Sequence, residues 1–188
     1  MISIIIPFYN EEDTLESLYK KITQELKKYE YEVIFVDDGS TDSSKLKIKN
    51  EKLKVKSSKE IVLITHQRRL GKGKALLSGF NASRGDSIVF IDADLQNDPA
   101  DIPRLLEKMH EGYDLVNGWR RDRKDEIGKT LPSFLFNWLI IKLFLGSQFH
   151  DINCGLKAMR QVVFEEIPLY GDNYRFLPFL AQKQGFKV

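Results

Sequence analysis

IVFIDADLQNDP, Ile88 to Pro99, is a strand, an acidic turn and a helix start in succession. The apolar run Ile88–Ile91 has the short, continuous, β-branched character of a strand buried on both faces. It stops at Asp92, and a second carboxylate follows at Asp94. Asp98 is placed as an N-cap and Pro99 fits the first helical position. Beyond them Ile102, Leu105, Leu106 and Met109 recur as one apolar stripe. A buried strand leading through polar residues into an amphipathic helix is the repeating unit of an α/β layer fold.

The same unit recurs on both sides. Ile2–Ile6, Val33–Val36, Ile61–Thr65 and Asp114–Val116 read as further buried strands. Leu15, Leu18, Ile22 and Leu26 share one helix face, with Asn10 placed as a cap before Glu11. After Trp119 the pattern changes to a charged loop, an apolar helix, a short strand and a further helix. The expectation is an α/β fold: a mainly parallel sheet flanked by helices, with an irregular α+β C-terminal third.

At 188 residues the chain suits a single domain with a genuine core. Apolar residues make up 42% and charged residues 30%, a balance unlike that of disordered or membrane-embedded chains. A net charge of +2 is too small to indicate nucleic acid. The one cysteine, Cys154, excludes an internal disulfide and suits a reducing compartment. The N-terminus enters an apolar strand at once, without the basic and long apolar regions of a signal peptide. LPSFLFNWLIIKLFLG, Leu131 to Gly146, is shorter than the ~20 residues of a spanning helix, and Asn137 and Lys142 interrupt it. Its apolar residues exceed one stripe, so it reads as a buried core helix or as one lying at a bilayer surface. KLKIKNEKLKVKSSK, Lys45 to Lys59, reads as a solvated helix end and loop in preference to a membrane-facing patch. RLGKGKA, Arg69 to Ala75, has the glycines of a phosphate loop without its spacing, since Ala75 stands where a hydroxyl belongs.

In open α/β sheets, ligands bind outside the carboxyl ends of the strands. Those ends read PFYNE, DDGS, THQRRLGKG, DADLQ and NGWRR. In FVDDGSTD, an Asx-type turn and helix cap accounts for one of Asp37 and Asp38 but poorly for both. The other carboxylate can accept hydrogen bonds from a base or ribose. In DADLQ, Asp92 and Asp94 lie two apart, on one side of an extended segment. Carboxylates held that close repel unless a cation sits between them. Hard oxygen ligands in small number suit Mg²⁺ or Mn²⁺ bound jointly with substrate phosphates. Gln96 can add a neutral oxygen.

ISIIIPFYNEEDTL, YEVIFVDDGSTDSS, RRLGKGKALLSGF and IVFIDADLQNDPADIPRLL, in this order and spacing, resemble the family 2 glycosyltransferases with the GT-A fold. GWRRDR, DINCGLKAM and DNYRFLPFLAQKQGFKV narrow the resemblance to the polyprenyl-phosphate sugar transferases, the dolichol-phosphate mannosyl- and glucosyltransferase type. The resemblance implies a Rossmann-like GT-A domain over 1–188, with a nucleotide-sugar-binding half at 1–119 and an acceptor-side half at 120–188. It places Pro7, Tyr9 and Glu11 around the nucleotide, and Val36 and Asp38 at the base or ribose. Asp92, Ala93 and Asp94 would meet the ribose-diphosphate, with Asp94 the main metal ligand and Asp92 and Gln96 assisting. Arg120 would bind phosphate on the acceptor side, Lys72 would approach the nucleotide, and Asp151 and Lys157 would line the acceptor cleft. The implied partners are a UDP- or GDP-sugar donor, Mg²⁺ or Mn²⁺, and a polyprenyl phosphate such as dolichyl or undecaprenyl phosphate. The implied location is cytoplasmic, peripheral to the cytoplasmic face of a membrane.

The choice of acceptor turns on a missing base. Family members that glycosylate a hydroxyl commonly present a Glu-Asp pair in the last third, whereas here YGDNYRFLP has Asp172 followed by Asn173. A phosphate acceptor is already an anion and needs cations instead. Arg120, Arg121, Arg123, Lys124 and Lys129 supply them, against Asp122, Asp125 and Glu126. Related chains usually continue past a strand near Phe186 into a basic R-x-x-G-x-S-K type segment, so an end at Val188 reads as a truncation or as a shortened paralogue. Arg69 stands where an asparagine is common.

The leading expectation is an inverting, metal-dependent hexosyltransferase acting on polyprenyl phosphate. Three alternatives stay open: a saccharide hydroxyl acceptor with Asp172 as base, a phosphatase with its nucleophile in D-x-D, and a nucleotide-sugar binding module without catalysis. The phosphatase arrangement normally sits on the first strand and continues with Thr or Val, whereas this one is on the fourth and continues with Leu95.

Overall fold

The computed structural model describes residues 1–54, 60–119 and 151–188. Among them, β1 (Ile2–Phe8), β2 (Tyr31–Asp37), β3 (Glu60–Thr65), β4 (Ser87–Phe90), β5 (Leu115–Asn117) and β6 (Lys157–Arg160) form one sheet in the order β3-β2-β1-β4-β6-β5. β1 to β4 are parallel. β6 runs antiparallel between β4 and β5, with Lys157 opposite both Phe90 and Asn117. The sheet is thus mainly parallel, as the strand runs imply. It also continues across the division at residue 119, because the far edge is attached through a strand from the C-terminal third.

Helices cover both faces. Ile4, Ile6 and Phe8 of β1 point to one side and pack with Leu15, Leu18 and Ile22 of α1 (Leu15–Glu25), with Ile48 of α2 (Ser44–Lys54) and with Ile102, Leu105 and Leu106 of α4 (Ile102–His110). Ile5 points to the other side with Ile34 and Val36. There it meets α3 (Lys72–Asn81), α5 (Gln161–Glu166) and α6 (Leu177–Lys183) through Leu76, Phe164 and Leu177. The period-two alternation of β1 and β2 therefore separates two cores, and each strand is buried along its whole length. The burial is dominated by branched aliphatics, each stabilising the fold by about 1.5–3 kcal/mol relative to an exposed side chain.

Local starts agree with the sequence in one case and differ in two. Asp98 caps a 3₁₀ turn, Pro99–Asp101, that leads into α4, and its side chain accepts from Ala100 N at 3.2 Å. Asn10 is no helix cap, since α1 begins at Leu15 behind Thr14. Asn10 instead adopts φ +56° and binds the turn after β2, its Oδ1 accepting from Thr41 N at 2.8 Å. Phe186, expected near the start of a strand, follows α6 in irregular structure. The apolar segment 131–146 and the cations at 120–129 lie outside the described residues. Among the described residues, no helix is long and apolar enough to cross a membrane.

Candidate active site

The carboxyl ends of β1, β2 and β4 and the N-terminus of α3 surround a cleft of about 260 Å³. It is lined by Pro7, Tyr9 and Glu11 from the first strand end, Asp38 from the second, Arg69 and Lys72 from the loop entering α3, and Asp92, Ala93 and Asp94 from the fourth. The walls are stitched together by backbone donors and short polar side chains. Asn10 N donates to Ser40 Oγ (3.0 Å), Glu11 N to Ser44 Oγ (2.9 Å), and Ser43 N to a Glu12 carboxylate oxygen (2.9 Å). These bonds fix the loop after β1 against the turn after β2.

The two aspartates of DDGS have separate tasks. Asp37 Oδ1 accepts from Ser40 N (2.7 Å), three residues on, which holds the turn after β2 in the manner of a cap. Asp38, almost fully buried, clamps the glycine loop. Its Oδ1 accepts from Leu70 N and its Oδ2 from Gly71 N, both at 2.8 Å. His66 Nδ1 also meets Oδ1 at 2.9 Å, while His66 Nε2 meets Ser78 Oγ on α3 at 2.9 Å. The amides that give RLGKGKA its likeness to a phosphate loop are thus turned to an internal carboxylate. Gly39, at φ +81°, lets the turn lie flat on this loop, because a Cβ there would come within 2.6 Å of the Arg68 carbonyl carbon. What the loop presents to the cleft is its cations.

Arg69 lies with its guanidinium carbon 4.2 Å from the centre of the Tyr9 ring, a cation–π contact. Lys72 is ion-paired with Asp92 Oδ1. Asp94 is exposed at the cleft, and its Oδ1 accepts from Gln96 N (3.0 Å) across Leu95, which holds φ +60°. Burial raises the Glu11 carboxyl above its ordinary value; the hydrogen bond from Thr14 opposes this, and the charges of Asp94, Asp42 and Asp92 add to the rise. The cleft therefore concentrates carboxylates that favour a cation.

The C-terminal third closes the far side. Gly155 stands directly against the Asp92 carboxylate, where no Cβ fits. Lys157 Nζ donates to the carbonyl oxygens of Ile152 (3.1 Å) and Cys154, holding the turn that carries Gly155. Burial, joined by the Lys72 charge and opposed by Cys154, Asp92 and Asp151, brings the Lys157 ammonium down to about 8. The Tyr174 ring reaches to 5.3 Å from Lys72 Nζ.

Among the described residues no three of His, Cys, Asp or Glu form a ready-made cation site. Asp92 and Asp94 share the cleft, and two carboxylates suit a hard divalent ion that completes its shell with water and ligand phosphate. The donor set fits such an ion.

A family model described as glycosyl transferase family 2 matches residues 3–168. The chain belongs to glycosyl transferase family 2. Two relatives are undecaprenyl-phosphate 4-deoxy-4-formamido-L-arabinose transferases, from Pseudomonas fluorescens (strain SBW25) and Proteus mirabilis (strain HI4320). Each is 37% identical over 182 residues, covering 96% of this chain and 52% and 55% of theirs. The chain thus spans about half the length of the curated relatives it matches. Among solved structures, glucosyl-3-phosphoglycerate synthase from Mycobacterium tuberculosis, in complex with Mn²⁺ and UDP-glucose, matches with a TM-score of 0.76 at 23% identity. It covers 98% of this chain and 65% of that one. A mannosyltransferase from Pyrobaculum calidifontis with GDP-Man and Mn²⁺ matches with a TM-score of 0.74 at 18% identity, covering 99% and 53%. The fold is GT-A.

Of the residues carried over to this family 2 chain by motif, Pro7, Tyr9, Glu11, Asp38, Lys72, Asp92, Ala93 and Asp94 line the cleft. Val36 does not. It is fully buried in the core between β2 and α3, so its side chain offers no surface to a ligand. Gln96 also lies outside the lining, and the bond it makes to Asp94 comes from its backbone N–H. Asp151 and Lys157, expected in the acceptor cleft and not in this one, lie apart from it: Asp151 borders a separate cavity with Asn117 and Trp119, and Lys157 is buried beneath the turn that carries Gly155. Arg120 lies outside the described residues. Arg69 was visible in the sequence as a departure from the usual asparagine, but its place over Tyr9 was not. Gly155 and Tyr174 had no signal beyond their motifs.

Proposed function

We propose that this family 2 domain transfers a sugar, with inversion, from a nucleotide-diphosphate sugar to a polyprenyl phosphate. The observation that carries the reading is one cleft with two kinds of charge. Asp92 and Asp94 can hold a divalent cation, while Lys72 and Arg69 stand in the same cleft to receive a diphosphate. The relatives named for undecaprenyl phosphate support the choice of acceptor. The complexes of the two solved neighbours, both with Mn²⁺, support a donor of the UDP- or GDP-sugar type and a divalent ion.

In this reading Tyr9 and Arg69 form the platform at the nucleotide end. Asp38 keeps the glycine loop in place, so that Lys72 and Arg69 are held ready before the donor arrives. A divalent ion, when bound, neutralises charge growing on the leaving diphosphate, a contribution of several kcal/mol. Phosphate as acceptor is already anionic, so no residue of the chain has to remove a proton from it. Arg120 is the residue assigned to hold it, at the membrane surface where a lipid-linked phosphate resides.

The test has two stages. UDP-, GDP- and dTDP-sugars are screened with Mn²⁺ for a rise in melting temperature, since a ligand of the folded state stabilises it by mass action. The donor found is then offered undecaprenyl phosphate or soluble glycans. Transfer to the lipid phosphate is expected. Transfer only to a soluble glycan would replace the acceptor assignment, and donor binding without turnover in the full-length protein would replace the enzyme with a binding module.

A further inference from the structure

Asp92 already has a cation of the chain's own. Lys72 opens α3, and its ammonium is paired with Asp92 Oδ1, the two side chains being 31% and 24% exposed. The pair is hemmed in on one side. Gly155 lies directly against the carboxylate, and the buried Lys157 adds positive charge behind it. On the other side, Tyr174 offers its ring at 5.3 Å, a second seat for the ammonium.

A divalent ion approaching Asp92 and Asp94 therefore meets an ammonium in contact with one of its ligands. Like charges in a partly buried cleft oppose each other more strongly than in bulk water. A diphosphate changes this balance. It offers oxygens to the metal and to the ammonium together.

We propose that Lys72 is the resident counter-ion of Asp92, exchanged for the divalent ion when a donor diphosphate takes the ammonium over. The proposal rests on the assignment of the cleft to metal and nucleotide sugar. Its consequence is positive coupling: donor strengthens metal binding, and by linkage metal strengthens donor binding by the same factor. Lys72 thereby suppresses metal binding to the two carboxylates on their own.

The test is Mn²⁺ affinity, measured by electron paramagnetic resonance or calorimetry with and without UDP or GDP, in the wild type, Lys72→Met and Lys72→Gln. In the wild type, the nucleotide is expected to tighten Mn²⁺ binding at least about tenfold. Both variants are expected to bind Mn²⁺ alone about tenfold more tightly than the wild type, with a smaller gain from nucleotide. If neither variant gains, or only one does, while the wild type binds Mn²⁺ with nucleotide, the exchange is wrong and the cleft assignment stands. If the wild type binds no Mn²⁺ with either nucleotide, the cleft assignment itself fails.

Discussion

A Cβ placed on Gly155 would lie 2.2 Å from Oδ2 of Asp92. The turn before β6 and the acidic turn after β4 are thus packed backbone against carboxylate. Gly155→Ala must push that carboxylate aside or lift the turn, at a cost of about 1–3 kcal/mol. The expected outcome is a loss of Mn²⁺ affinity in the presence of nucleotide that exceeds any loss at a surface glycine such as Gly112. Calorimetric titration of both alanine variants checks it.

Asp94→Ala separates function from stability. Asp94 is exposed and contributes one turn hydrogen bond to Gln96 N, so the fold is expected to lose about 1 kcal/mol or less. Metal-dependent donor turnover should vanish. Urea unfolding together with a donor turnover assay reads both, and unchanged turnover would remove Asp94 from the metal site.

Asp38→Asn attacks the clamp. The carboxylate accepts from Leu70 N, Gly71 N and the His66 ring, and an amide NH₂ in place of one oxygen faces a donor instead of accepting from it. A buried donor left without a partner costs about 1–3 kcal/mol. The variant should unfold at lower urea and bind nucleotide more weakly, because the loop carrying Arg69 and Lys72 is released. Retained affinity for nucleotide would show that the clamp does not serve the cleft.

What was legible in the sequence follows the range of the interactions. Asp92 and Asp94 stood out because charge at the end of a buried strand is a local anomaly, and Asp98-Pro99 because a cap acts on its own helix. The Val36 side chain turns into the core because a motif fixes the segment, whereas strand alternation decides which face a side chain takes. The pairing of Asp38 with the loop at 70–71, and of Arg69 with Tyr9, joins distant segments and left no local periodicity. The short strand of the last third is legible as a strand, but with a charge at each end Lys157–Arg160 does not announce an antiparallel place between β4 and β5.

Lys157 predicts a pH dependence. Its folded-state value of about 8 lies below the ordinary 10.5, so the unfolded chain binds more protons between these values. Stability contributed by this group therefore rises as pH goes from about 8 towards 10.5, and a penalty for the buried charge is present below 8. Comparing wild type with Lys157→Met by urea unfolding at pH 7 and pH 9.5 cancels the other titrating groups. The difference should shift in favour of the wild type at the higher pH. A difference that stays constant would mean that Lys157 keeps its proton throughout.

Asp172→Asn tests the acceptor. Asp172 is exposed, just ahead of the 3₁₀ turn Asn173–Phe176. Transfer to polyprenyl phosphate should survive the substitution, because that acceptor brings no proton to be removed. A collapse in kcat with unchanged KM would instead assign Asp172 the task of a base.

The position of β6 also bears on how the chain comes into being. β5 joins the sheet through β6, which leaves the ribosome well after it. At ~5–20 residues per second, β5 waits a few seconds for its neighbour during synthesis. Until then, the β4 edge that will carry Asp92 is open, and the growing chain presents an unpaired strand to chaperones or to another nascent copy. The last third of this domain thus supplies the strand that closes the β4 edge.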